Sequence, residues 1–286
     1  MTPEPIPSLD LVTPHRVLEA DMLQVVQQAV HRGDSSVGSR ISRTETVIVA
    51  GLGEIGRPIL ELVTKHHQAV GVDVSPPAQE VQRVDVMHVC YPFAISDFVG
   101  ETARYIKLFS PNVTIINSTV AVGTTRAVAE KTGTAVVNSP VRGKHVRMRE
   151  DLLRYTKFIG AIDPASATYA ARHFESIGIR TSILSSPEAT ELAKLTETTY
   201  FGLMIAWSQE VERYCDQLGL DYDEVVSFYE QVKFFPPVKY FPGIIGGHCV
   251  MPNIDILSRV GQSEILKAIK SSNRNKIDRE ARRGDV

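Results

Sequence analysis

The sequence predicts an α/β fold, a doubly wound parallel sheet followed by an all-α domain. Three observations carry that prediction. From Thr46 onward, short β-branched apolar runs alternate with stretches whose apolar residues recur at helical spacing. The first run is followed at once by three glycines, Gly51, Gly53 and Gly56. After Ser186 the strand-like runs stop, and Pro187 opens roughly thirty residues of helical pattern broken only by Gly202.

In chain order, residues 1–42 read as an extension. Pro14 to His31 fits one amphipathic helix, with Val17, Leu18, Met22, Val25, Val26 and Val30 near one face, and RGDSSVGSRISR is a polar linker. TVIVA (46–50), AVGVDV (69–74), VDVMHVCYP (84–92), VTIINST (113–119), TAVVNSP (134–140) and KFIGAID (157–163) are buried strands by length and composition. SDFVGETARYIKLF is the helix after the third. Strand, helix, strand repeated in this way implies parallel strands with helices on both faces, over 43–186. The helical domain, 187–286, is built on a helix at 187–218 that is apolar on more than one side (Leu192, Leu195, Tyr200, Trp207, Val211). Such a helix is central to a domain or to a dimer. Asp221 to Gln231 is a shorter helix. From Asp255 to about Arg279 the chain is helical and increasingly basic, which reads as a solvated terminal helix.

Composition narrows the class. With 43% hydrophobic and 22% charged residues and a net charge of −2, the chain is an ordinary globular protein with no electrostatic reason to bind nucleic acid or an acidic membrane. Cys90, Cys215 and Cys249 form neither a disulfide framework nor a zinc spacing, so no metal is expected. No signal-like or membrane-length apolar run is present, and a cytoplasmic location is expected.

Gly51-Leu52-Gly53-Glu54-Ile55-Gly56 is a G-x-G-x-x-G run that follows a strand, opens a helix and precedes a second strand ending in Asp73. This is the context of a Rossmann dinucleotide-binding turn. Gly51 makes the turn, Gly53 lets a pyrophosphate approach, and Gly56 lets helix and strand pack. The helix N-terminus stabilises phosphate charge. Asp73 accepts from ribose hydroxyls and repels a 2′-phosphate, so NAD is expected over NADP. Glu54 and Ile55 in the turn, with Tyr91 and Pro92 after the third strand, join the cofactor set.

The stretch FPPVKYFPGIIGGHCVMPN (235–253) joins adjacent glycines, Gly246 and Gly247, to a single Cys249. Glycine permits φ > 0 or a close approach, and Pro236, Pro237, Pro242 and Pro252 forbid a continuous helix or central strand. Cys249 is then either a reactive group displayed on a loop or a small buried hydrophobe.

Four segments together carry a resemblance. They are the glycine turn, Ser118-Thr119-Val120-Ala121-Val122-Gly123-Thr124-Thr125, Glu191-Leu192-Ala193-Lys194-Leu195-Thr196-Glu197, and Pro242-Gly243-Ile244-Ile245-Gly246-Gly247-His248-Cys249. In this order the chain resembles the UDP-glucose/GDP-mannose dehydrogenase family, including its UDP-N-acetylmannosamine members, over about residues 46 to 257. The resemblance implies a 6-phosphogluconate dehydrogenase-like helical domain, a dimer through 187–218, and oxidation of a sugar alcohol to a carboxylate with NAD in two hydride transfers. It makes Cys249 the nucleophile toward an intermediate aldehyde and Lys194 the charge that stabilises the oxyanion. Thr119 places water near the nicotinamide. Thr198 stands where the family has asparagine and can still donate one hydrogen bond. Gly246, Gly247, His248 and Asn253 fall in the substrate set.

Three departures stand beside the matches. Val141 replaces the glutamate of the family's P-E motif. Asn253 replaces an aspartate four residues after the cysteine, and an amide takes no proton; the lysine before it is Pro252. The family's third, nucleotide-gripping domain is not expected within 286 residues. Arg142, Lys144, His145 and Arg147 follow the fifth strand as a basic cluster suited either to a substrate phosphate or carboxylate or to solvent. Besides the nucleotide-sugar reading, two others remain open: a β-hydroxyacid-type oxidoreductase using the lysine but no thiol, and a non-catalytic NAD-binding protein.

Overall fold

The computed structural model describes residues 44–73, 83–143, 145–231, 241–247, 249–261 and 263–283, within one compact unit, Thr44–Val286. The helix expected at 14–31 and its linker lie outside the described residues.

Strand β1 (Thr46–Ala50) explains the layered core. Val47 and Val49 pack on one side with Ile59, Leu62 and Phe174, while Ile48 packs on the other with Met87, Phe98 and Ile106. A strand covered on both faces reads as a continuous apolar run, as TVIVA does. The elements continue as α1 (Gly56–Val63), β2 (Gln68–Val72), β3 (Val86–Val89), α2 (Phe98–Phe109), β4 (Val113–Ile116), α3 (Thr124–Thr132) and β5 (Val136–Asn138). Then follow α4 (Met148–Arg154), β6 (Lys157–Ala161), α5 (Pro164–Ser176) and β7 (Thr181–Ile183). The sheet order is β2-β1-β3-β4-β5-β6-β7. Helices α1, α4 and α5 cover one face, α2 and α3 the other. Strand order reverses direction at β1, which opens a crevice at the carboxyl ends of β1 and β3.

The sheet is not parallel throughout. Strand β6 runs antiparallel to β5, pairing Val137 with Ala161 and Asn138 with Gly160. The chain re-enters beside the end of β5 that it has just left, where Ser139 Oγ donates to Phe158 O at 2.8 Å and Lys157 Nζ donates to Ser139 O at 2.5 Å. No crossover is needed for such a return. Strand β7, parallel to β6, is only three partly exposed residues, too short to mark itself as an apolar run.

Helix α6 (Pro187–Leu218) spans the 32 residues expected of it, about 48 Å at 1.5 Å per residue. Ser186 caps it by accepting from Ala189 N, Pro187 occupies its first position, and Gly219 closes it in the left-handed region. Its start is seated on the sheet: a Cβ at Gly160 would lie 2.3 Å from Ser186 O. Gly202, the one apparent breaker, is a contact point. A Cβ there would lie 2.6 Å from Val250 Cγ1 of the crossing helix α8 (Val250–Leu257). Between them lies the short α7 (Tyr222–Ser227).

The single basic helix expected from Asp255 is in fact two, α8 and α9 (Glu264–Arg283). Helix α8 starts before Pro252, which falls in its first turn, where a missing N–H leaves no bond unmade. Nor is α9 simply solvated. Leu266, Ile269, Asn273 and Lys276 are buried; Lys276 pairs with Glu212 of α6 at 2.8 Å and Arg279 with Asp216 at 2.5 Å. Its basic residues answer acids on the long helix. No helix among the described residues is long and apolar enough to cross a membrane.

Candidate functional site

The glycine turn is built as the spacing requires. Gly51 sits at φ +90°, and a Cβ there would lie 2.6 Å from Tyr91 N. A Cβ at Gly56, which heads α1, would lie 1.7 Å from Gly51 O. A Cβ at Gly53 would meet nothing within 4 Å, so its backbone faces open space. Glu54 is exposed, and Ile55 directly precedes α1 without a side-chain cap. Asp73 directly follows β2 and is exposed, its carbonyl accepting from Tyr105 Oη at 3.0 Å. Tyr91 shares a 2.6 Å hydrogen bond with Thr102 beside the exposed Pro92. A bare backbone at a helix start with a carboxylate at the next strand end fits a dinucleotide.

Hydrogen bonds lead from this turn to the lysine helix. Ser118 Oγ donates to Tyr91 O at 2.6 Å, and the partly exposed Thr119 follows. The same segment ends at Gly123, φ +91°, which opens α3. Glu191 of α6, 1% exposed, accepts from Gly123 N at 2.6 Å and Thr125 N at 2.8 Å. Burial pushes its carboxyl up from the ordinary range, against the lowering effect of Thr125 and the two amides. Arg126 pairs with Glu188 at 2.7 Å alongside. One turn beyond Glu191, Lys194 is partly buried, its Nζ 3.4 Å from Glu197. Thr198 Oγ1 donates to Lys194 O at 3.0 Å. The donation expected of Thr198 is therefore made to its own helix.

Ahead of the cysteine, Gly247 adopts φ +78° and a Cβ at Gly246 would meet nothing within 4 Å. Cys249 is exposed and directly precedes α8. Asn253, buried one turn later, donates its backbone N–H to Cys249 O at 3.3 Å. His248 lies outside the described residues. Two buried amides not singled out by the sequence, Gln209 and Asn273, hold the loop ahead of Cys249; polar residues on helices give no sign of burial.

After β5, Val141 is buried. Arg142 donates to Thr156 O at 2.7 Å and lies 4.9 Å over the Phe158 ring. Arg147 approaches Asp151 at 3.7 Å. Lys144 is outside the described residues, and of His145 only the backbone, in a single 3-10 turn, is described. Beneath them is Lys157, 4% exposed and 5.0 Å from the Phe174 ring. Burial above all, with Lys194 and Arg142 nearby, brings its ammonium down to about 7, opposed by Cys90. Burial pushes the Cys90 thiol up to about 12. Only a lysine opening an apolar strand, KFIGA, hinted at this.

From the residue after β4 to the residue before β1 runs a polar chain: Asn117 Nδ2 donates to His88 Nδ1 at 3.1 Å, His88 Nε2 meets His173 Nε2 at 2.9 Å, and His173 Nδ1 meets Glu45 Oε2 at 2.5 Å. Glu45, His67 and His173 offer ligand atoms within 4.8 Å of one another. However, His67 Nδ1 accepts from Glu45 N at 3.3 Å, which places the proton on Nε2, facing Ser176 Oγ at 2.7 Å. A cation bound through Nε2 needs the opposite tautomer. The cluster is a chain of imidazoles closed by a carboxylate.

Comparison with known proteins follows the same lines. Residues 188–275 match the central domain of the UDP-glucose/GDP-mannose dehydrogenase family. The chain is 23% identical over 228 residues to a UDP-N-acetyl-D-mannosamine dehydrogenase of Methanococcus maripaludis, covering 78% of this chain and 52% of that one. It is 26% identical over 207 residues to the enzyme of the same name from Methanocaldococcus jannaschii, covering 67% and 48%. The chain thus spans about half the length of these relatives. In fold it is similar to a UDP-D-ManNAc dehydrogenase from Pyrococcus horikoshii, with a TM-score of 0.72, 18% identity and coverage of 82% and 70%.

Proposed function

We propose that this chain, whose residues 188–275 match the central domain of the UDP-glucose/GDP-mannose dehydrogenase family, is an NAD-dependent dehydrogenase that oxidises an alcohol of a sugar-like substrate bearing a nucleotide or phosphate. The observation that carries this is the continuous link from the glycine turn through Tyr91, Ser118 and Glu191 to the turn bearing Lys194. It joins the cofactor positions to the catalytic helix. Residues 43–186 serve as the nucleotide-binding domain and 187–286 as the helical one.

Gly51, Gly53, Glu54, Ile55 and Gly56 hold the pyrophosphate, Asp73 the ribose, and Tyr91, Pro92 and Thr119 the nicotinamide end. NAD bound there supplies the hydride acceptor. Lys194 stabilises oxygen charge as the alcohol becomes a carbonyl. Cys249 Sγ then adds to the aldehyde carbon while the carbonyl oxygen takes the thiol proton, giving a thiohemiacetal. Oxidation of that adduct gives a thioester, and water displaces the thiol to leave a carboxylate. Arg142, Lys144 and His145 bind the substrate anion; Gly246, Gly247, His248 and Asn253 surround the sugar. Tyr200, Trp207 and Tyr214, all about half exposed on α6, support a homodimer through that helix.

Buried Val141 and the amide Asn253 favour a second reading, in which oxidation stops after one hydride and Cys249 takes no part. Counting NADH formed per substrate consumed separates the two. The protein would be given NAD and a panel of nucleotide sugars, sugar phosphates and hydroxyacids, alongside Cys249→Ser. Two NADH, abolished in the variant, establish the thioester route. One NADH with an active variant establishes the second reading. Silence across the panel, with NAD bound, removes both.

A further inference from the structure

The turn that carries Cys249 is fixed from beneath by two side-chain amides on different helices. Asn273 of α9 accepts from Ile245 N through Oδ1 at 2.7 Å and donates from Nδ2 to Ile245 O at 3.0 Å, so one carboxamide satisfies both backbone groups of one loop residue. Gln209 of α6 donates from Nε2 to Gly243 O at 2.7 Å. Its Oε1 in turn accepts from Ser272 Oγ at 2.9 Å, which fixes which end of the amide faces the loop. Gln209 is 0% and Asn273 4% exposed, and Ile245 between them is 4% exposed in the core formed with Ala206, Val250, Ile254, Leu266 and Ile269.

The glycines on either side of this anchor leave room beside the backbone. A Cβ at Gly243, Gly246 or Gly247 would meet nothing within 4 Å. The loop is therefore held by buried residues at Ile245 and, directly after Cys249, at Val250, with the open glycine pair Gly246 and Gly247 in the stretch between. A buried polar group is costly unless its partners are all in place. Helix packing alone would be served as well by Leu or Met at 209 and 273. What two amides add is direction: donors and acceptors that accept only one backbone orientation at Ile245.

We propose that Gln209 and Asn273 are positioning residues for the nucleophile loop, holding Ile245 and Gly243 so that the glycine pair presents Cys249 in one orientation. The proposal rests on the reading of Cys249 as the reactive thiol, but its test does not need turnover. In the full chain, Asn273→Asp keeps the acceptor for Ile245 N and puts an acceptor against Ile245 O; Gln209→Glu does the same to Gly243 O. Each variant would be followed by the rate of Cys249 alkylation with iodoacetamide, mapped by peptide mass, by amide exchange, and by Tm.

The expected result is a change in alkylation rate of at least fivefold and at least tenfold faster exchange in 243–249, with exchange across β1–β5 unchanged. Ser272→Ala, which leaves both amides in place but frees the Gln209 carboxamide to turn, should give the same pattern more weakly. Where the Asp variant does not fold, Ser272→Ala decides. Unaltered alkylation and loop exchange in a folded variant overturn the proposal, as does a rise in exchange spread evenly over the protein. If the panel of substrates shows Cys249 to be a bystander while loop exchange still rises, the clamp stands and only its catalytic purpose falls. If Cys249 is essential and the variants lose kcat with KM held, the two readings stand together.

Discussion

The carboxylate of Glu191 accepts from Thr125 N at 2.8 Å, and its second oxygen takes Gly123 N at 2.6 Å. A buried acid on one helix thus serves as the N-terminal cap of another. The capped helix ends the segment that begins with Thr119, and the capping helix presents Lys194 one turn on. The loop after β4 and the turn bearing Lys194 therefore share a rigid joint. Glu191→Gln replaces one acceptor oxygen with a donor that faces an amide. We expect a loss of about 1–3 kcal/mol, as for hydrogen bonds to charged groups. Turnover should fall on the order of tenfold to a hundredfold, as misplacement of a reacting group costs. Differential scanning and steady-state kinetics check both; a variant with unaltered kcat would show that the joint is structural only.

The two glycines that frame the turn should respond in opposite ways. At Gly56 a Cβ would overlap Gly51 O at 1.7 Å, so Gly56→Ala must open the β1–α1 turn and lower Tm sharply. At Gly53 a Cβ meets open space, so Gly53→Ala should change stability by no more than about 1 kcal/mol, the usual range for Gly→Ala replacement at an unstrained position, while weakening NAD binding. Isothermal titration beside a thermal melt separates the two effects. Full NAD affinity in Gly53→Ala would mean that the pyrophosphate does not approach there.

Lys194→Met tests the charge. If the ammonium acts on developing oxygen charge, kcat should fall roughly 10²- to 10³-fold, the range for removing one such group, with NAD affinity held. Its neighbour gives a control. The Lys194–Glu197 pair is 3.4 Å long with Glu197 half exposed, so Glu197→Gln should change stability by less than about 1 kcal/mol.

Much of this was legible because it is local. The glycine spacing, the β-branched runs and the uninterrupted helical pattern from Pro187 all express short-range constraints, and the 187–218 helix is found with the ends its Ser186 and Gly219 caps dictate. What escaped notice depends on distant partners. Nothing near Lys157 in sequence says that β6 will return antiparallel and draw its ammonium under Ser139 O. Gln209 and Asn273 are ordinary polar residues on helices until the loop they hold is placed between them. The basic residues of α9 look solvated until Glu212 and Asp216 are seen opposite. Glu45, His67, His88 and His173 come from three strand-side positions and one helix and form no motif.

That histidine chain makes a prediction about pH. Burial holds His88 well below its ordinary value, and His67 below it too. Both are therefore neutral in the folded protein while the unfolded chain takes up protons from about pH 6.5 downward. The unfolded state then binds more protons, so stability that is full above pH 6.5 is lost as pH falls, by up to about 1.4 kcal/mol per unit for a fully buried histidine. Glu45 acts lower. Burial raises its carboxyl, but contact with His173 and His67 holds it below the ordinary value on balance, so its share persists above about pH 4.5 and is lost only beneath it. Melting curves from pH 8 to 5 should show Tm falling below pH 6.5. His88→Leu should start lower, because His173 Nε2 loses its donor, yet fall less steeply. Parallel curves for the two proteins would mean that His88 does not titrate on unfolding and that the chain is not the source of the acid sensitivity.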